Sequence, residues 1–145
     1  MNTRPLIVLA TRNRGKAAEF ARALAECGVA LESLEAFPPF PAPAEEGRTF
    51  AENAAAKALE TAARTGRPAL ADDSGLCVTA LEGRPGIRSS RFAGPGADDE
   101  ANIDLLLEKL AGAPDRSAWF SCALCLADPE GRVLWEGEGR CHGVI

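Results

Sequence analysis

Ala71-Asp72-Asp73-Ser74-Gly75-Leu76 sets two adjacent carboxylates, a hydroxyl and a glycine directly after a short apolar run. Residues 69–71 and 76–81 read as two strands, which predicts that the acidic pair occupies the junction between them. Neighbouring carboxylates repel and raise each other's pKa unless a cation holds them ionised, and hard oxygen donors on a turn suit Mg2+. The same residues also make an ordinary solvated turn, because Asp and Ser side chains bond readily to nearby backbone. This stretch alone supports both readings, and the rest of the chain has to separate them.

With 145 residues, 46% of them hydrophobic and 26% charged, the chain has the size expected of one domain, 1–145, with a sizeable core. A net charge of −5 argues against broad nucleic-acid binding, which needs a basic face, but leaves room for a small anionic ligand held by a local cation cluster. No run approaches the roughly 18 apolar residues of a membrane span, and residues 5–10 are too short a stretch for a signal peptide. These features predict a cytoplasmic protein with no membrane partner. The five cysteines, Cys27, Cys77, Cys122, Cys125 and Cys141, are an odd number and read as reduced. Cys122 and Cys125 have metal-site spacing, but they lie in a stretch patterned as one strand, where residues three apart face opposite ways. A single histidine, His142, near the end of the sequence argues against a Ser-His or Cys-His catalytic pair.

Leu6-Ile7-Val8-Leu9-Ala10 reads as a central strand buried on both faces. It runs into Thr11-Arg12-Asn13-Arg14-Gly15-Lys16 and then a helical pattern ended by Gly28. A strand, a polar loop and a helix N-terminus in succession offer free N–H groups and a positive dipole end to an anion, with Lys16 and two arginines adding charge. The loop lacks Walker spacing, and an ordinary basic turn also fits it. Residues 29–34 suggest a second strand, and the prolines of 37–43 a loop. Thr49 and Glu52 have capping-box spacing for a helix to about Arg64, on which Asn53 and Lys57 share a face. Glu45 precedes this helix, placed either to reach the sheet edge as a metal carboxylate or simply to favour the helix N-terminus. Residues 82–96 form a Gly/Pro-rich loop with three arginines, longer than a mere connection requires. Asp98 or Asp99 caps a helix with Ile103, Leu106, Leu107 and Leu110 on its apolar face. Residues 118–127 and 132–138 flank Asp128-Pro129-Glu130-Gly131 and predict a hairpin. The order of elements implies an α/β fold, a mixed β-sheet with helices packed on it.

Four of these pieces, residues 9–16, 45–57, 71–76 and 85–91, stand in an order and spacing that resembles the inosine/xanthosine triphosphate pyrophosphatase family, from the first strand to the last residue. The resemblance implies Mg2+-dependent hydrolysis of non-canonical purine nucleoside triphosphates to monophosphate and pyrophosphate, in a homodimer. It implies that Thr11, Arg12, Asn13, Arg14, Gly15 and Lys16 grip the triphosphate, that Glu45 and Asp73 hold Mg2+, and that Ser74 contacts substrate. Asp73 matches the family's general base with Asp72 beside it, Lys16 steadies the leaving pyrophosphate, and Asn53 and Lys57 face the same site. The family's glycine-rich aromatic segment and its Ser-His-Arg segment, which read the purine, have no counterpart in the sequence. The chain is therefore expected to be C-terminally incomplete relative to the family, ending at the start of a further strand with apolar faces uncovered. Two other readings are a catalytically incompetent nucleotide- or phosphate-binding module, and a structural domain whose acidic turn is only a turn.

Overall fold

A computed structural model describes residues 4–145. The chain begins with a short strand, β1 (Leu6–Leu9), followed by α1 (Arg14–Leu24) and β2 (Ala30–Ser33). Helix α2 (Phe50–Thr65) then leads into the long strand β3 (Ala69–Val78). Helix α3 (Asp99–Lys109) and the hairpin β4 (Ser117–Ala127) and β5 (Val133–Val144) complete the order. The five strands form one sheet in the order β2-β1-β3-β4-β5. β1 runs parallel to β2 and β3, whereas β4 runs antiparallel to both of its neighbours, β3 and β5. This is the mixed sheet that the element order predicts.

Local chemistry explains the ends of α2. The Thr49 side chain accepts from Glu52 N (3.1 Å), and the Glu52 carboxylate accepts from Arg48 N (2.7 Å), one residue before the cap. Gly66 closes the helix with φ 67°, a backbone conformation that costs a glycine little. Along the helix Ala54, Ala58 and Ala62 are fully buried, and small side chains let α2 lie close against Ala71, Ala123, Cys125 and Ala127 of the sheet. A second core forms where Leu106 and Leu110 of α3 meet Val78, Leu81 and Ala118.

The sheet corrects the reading of the acidic stretch. There is no junction at Asp72-Asp73, because β3 continues through both residues and pairs with β4 in register from Ala69↔Ala127 to Val78↔Ala118. A partner strand along the whole length satisfies the backbone, so the turn preference of Asp, Ser and Gly is overridden. Residues 79–81 form a 3-10 turn, not a strand. Gly75 meets a local demand instead of making a turn: a Cβ there would stand 2.4 Å from Gly86 O and 2.7 Å from Ser89 Oγ. The Gly/Pro-rich loop is itself ordered as a 3-10 segment, Gly86–Arg91, and Ser89 Oγ accepts from Leu76 N (2.9 Å), fastening that segment to β3.

Three smaller differences follow from packing. Of the four apolar residues expected to face the core from α3 and its C-cap, Leu106 and Leu110 are buried, while Ile103 and Leu107 are 53% and 44% exposed, because the helix meets the core along a narrow seam. The last residues do not begin a new strand, since β5 continues through them and pairs Val144 with Ser117. Cys125 is buried towards α2 and Cys122 lies on the opposite face, and all five cysteines are free thiols.

Loss of the Thr49 cap is expected to cost about 1 kcal/mol. In thermal melts Thr49→Ala should therefore unfold roughly 2–4 °C below the wild type, and an unchanged midpoint would remove the cap from the account of α2.

Candidate functional site

β1 is four residues long and β3 is ten. Their parallel register ends at Leu9↔Leu70, and Ala10 N donates to Leu70 O (2.8 Å). The loop that follows β1 therefore passes beside β3 just where Asp72 and Asp73 lie. Alternation along an extended strand sends these neighbours to opposite faces.

Asp72 is 4% exposed, and its Oδ2 lies 2.8 Å from Lys16 Nζ of α1. Before that lysine, Asn13 caps α1 by accepting from Lys16 N (3.1 Å), and Thr11 Oγ1 accepts from Asn13 N (3.2 Å). The polar side chains of the loop thus fold back to hold its backbone and present the helix N-terminus. Gly15 sits close to this cap, since a Cβ would come 3.2 Å from Asn13 Oδ1. Ser74 is exposed and shares the Asp72 face by alternation.

Asp73, 7% exposed, points towards α2, where its Oδ2 accepts from Asn53 Nδ2 (3.1 Å). Burial pushes its carboxyl above the usual range; the Asn53 hydrogen bond opposes this, the charge of Glu45 adds to it, Lys57 opposes it and Asp72 adds least. The sequence expectation of one acidic pair that must share a cation therefore changes. Each carboxylate has its own partner, and the strand backbone stands between them.

Glu45 completes this second cluster. Its carboxylate lies 3.5 Å from Lys57 Nζ and 3.9 Å from an Arg91 nitrogen. Arg91 also donates to the Glu45 carbonyl (3.5 Å). A cleft of about 170 Å3, lined by Thr11, Arg12, Pro43, Glu45 and Lys57 among others, joins the α2-side cluster to the β1–α1 loop.

Not every residue expected at the site turns towards it. Arg12 donates to Phe40 O (2.6 Å) and lies over the Phe40 ring at 5.2 Å, so its charge serves the proline-rich loop. The Arg14 guanidinium is exposed and pairs with Glu35 (3.0 Å). Asn53 is 1% exposed with both ends of its amide used by the protein, which leaves it no face for a substrate. Sequence reasoning gives Arg91 no role, although it closes the 85–91 piece of the family resemblance and stands in an unusually long, arginine-rich loop.

Among the described residues no three His, Cys, Asp or Glu side chains gather into a closed metal cage. Glu45 and Asp73 are nevertheless a suitable donor pair for a hard cation of the Mg2+ type, which is commonly held by one or two carboxylates and completes its shell with water and phosphate oxygens.

These features define an α/β protein with two carboxylate–lysine clusters along one strand, and the comparisons with known proteins give its family. The sequence pattern of the Ham1 family matches residues 7–145. The chain belongs to the Ham1 family. It is 50% identical over 141 residues to the dITP/XTP pyrophosphatase of Desulfotalea psychrophila, covering 97% of this chain and 63% of that protein. With the protein of the same name from Exiguobacterium sp. it is 54% identical over 139 residues, covering 96% and 70%. The HAM1 protein structure from Coxiella burnetii superposes with a TM-score of 0.84 at 39% identity, over 97% of this chain and 73% of that one.

A carboxyl whose pKa is raised on folding favours the protonated native state, so its contribution to stability is lost as pH rises from the ordinary 3.8 through the raised value. In metal-free buffer Asp73→Asn should therefore melt above the wild type at neutral pH, and the gap should close as pH falls towards 3.8. A gap independent of pH would show that Asp73 is not the strained group.

Proposed function

We propose that this chain hydrolyses non-canonical purine nucleoside triphosphates such as dITP, XTP and ITP to the monophosphate and pyrophosphate, with Mg2+, and so clears damaged nucleotides. The observation that carries the reading is the convergence on one strand: β3 presents Asp73 towards Glu45 and Lys57 on one face and Asp72 towards Lys16 on the other, with the β1–α1 loop beside both. The names borne by relatives at about half identity support the substrate class.

In this proposal Asp73 takes the proton from the water that attacks the α-phosphorus. Thr11, Asn13, Gly15 and the first turn of α1 receive the phosphates, and Arg12 and Arg14 of the same loop join them when a ligand draws them from Phe40 and Glu35. Lys16 rests against Asp72 until a triphosphate draws it away, and it then steadies the departing pyrophosphate. Lys57 pairs with Glu45 at the mouth of the cleft, and Ser74 lies open to solvent where a ligand can reach it. Glu45 and Asp73 are the residues that would hold Mg2+, which when bound supplies charge neutralisation for the phosphate oxygens. A homodimer is part of the proposal: Phe120 and Trp135 are 62% and 51% exposed on the hairpin, a surface suited to a second copy. A cytoplasmic location is proposed too, and no helix among the described residues is long and apolar enough to cross a membrane.

The test is pyrophosphate release from dITP and XTP against dATP, with Mg2+ and with chelator. Asp73→Asn should lose about 10²–10⁴-fold in kcat, and Lys16→Ala about 10–100-fold in kcat/KM, as expected for a charge-assisted contact to phosphate. Triphosphate binding without any release would favour the nucleotide-binding module instead.

A further inference from the structure

Asn53 is a poor choice for the inside of a helix on local grounds, since its amide competes with the backbone and a polar group buried without partners is costly. Yet it sits in the first turns of α2 at 1% exposure. Its two ends face different parts of the chain. Oδ1 accepts from Gly47 N at 2.8 Å, and Nδ2 donates to Asp73 Oδ2 at 3.1 Å. Only one orientation of the amide satisfies an N–H on one side and a carboxylate on the other. Aspartate would set acceptor against acceptor, and leucine would leave both partners unpaired.

Gly47 carries the complementary half of the arrangement. A Cβ there would stand 2.5 Å from Asn53 Oδ1 and 2.9 Å from Glu52 Cβ, so the loop backbone can approach the amide only at a glycine. Gly47 is two residues from Glu45, which Lys57 and Arg91 hold from the other direction. The Glu45 loop and the Asp73 strand are far apart in sequence, and the Asn53 side chain bonds directly to both.

We infer that Asn53 is a positioning residue: by tying Gly47 to Asp73 it fixes the separation and orientation of the Glu45 and Asp73 carboxylates, and so prepares them for a divalent cation before substrate arrives. The inference rests on the reading of those two carboxylates as Mg2+ ligands. Groups that orient a metal carboxylate typically govern about 10–100-fold in affinity or activity.

The experiment uses the full chain without nucleotide and measures Mn2+ binding by electron paramagnetic resonance and Mg2+ binding by calorimetry, followed by kcat and KM for dITP. Asn53→Leu keeps the side-chain size and removes both bonds, and Gly47→Ala disturbs the same bridge from its other end. Both should weaken cation binding about 10–100-fold and lower kcat, with KM for dITP within about threefold because the β1–α1 loop is untouched. In the wild type the Asn53 side-chain amide resonance should shift as Mg2+ saturates the site, a readout that needs no variant to fold. Wild-type cation affinity in either folded variant, or an amide resonance unmoved by Mg2+ that calorimetry shows to be bound, overturns the positioning role. A wild type that binds neither cation instead refutes the Mg2+ reading and the positioning role with it, and this result is distinct from equal binding by wild type and variants.

Discussion

The pairing of β3 with β4 is the constraint on which the rest of the arrangement depends. An extended strand paired along its length has no freedom to bend its acidic residues towards a common point, and so Asp72 and Asp73 are driven to opposite faces. Each face is then supplied by a different helix. α1 brings Lys16 to Asp72, and α2 brings Asn53 to Asp73. The shortness of β1 matters equally, because it ends beside Leu70 and leaves the upper part of β3 bordered by a loop.

The energetics explain why both carboxylates are tolerated at such low exposure. A buried charge without a partner is expelled or neutralised, and a paired one is retained at modest net cost. Asp72 has a full ion pair, whose contribution is limited by screening because Lys16 stays partly in solvent. Asp73 has a neutral amide partner and a neighbouring glutamate, which is why burial prevails and its pKa rises. The strain sits at the carboxylate proposed to act as base, in keeping with the tendency of functional groups to occupy sites that stability alone would not choose.

Much of this was legible in the sequence. The continuous apolar run of β1, the Thr49–Glu52 cap, the Asp128-Pro129-Glu130-Gly131 turn and the order of elements gave the mixed sheet, since each is local chemistry with a local outcome. The acidic stretch was misread as a break between strands because turn propensity is local, whereas the β4 partner that overrides it lies about fifty residues further on. Asn53 and Lys57 were recognised as sharing a helix face, but their different tasks depend on what each meets: one is enclosed by the chain and the other pairs with Glu45 at the cleft. Arg12 and Arg14 were counted as one basic cluster with Lys16, and only the positions of Phe40 and Glu35 reveal that their charges are engaged elsewhere.

The alternation of β3 also sets the terms on which this segment can vary. A substitution in the strand alters one side chain in place, and its effect is graded. Insertion of a single residue between Ala71 and Asp72 would rotate everything beyond it by half a turn, sending the partner of Asn53 towards α1 and the partner of Lys16 towards α2. Gly75 would then no longer face the Gly86–Arg91 segment that leaves it no room for a side chain. The length of this strand is accordingly as much a part of its chemistry as the identity of its acids.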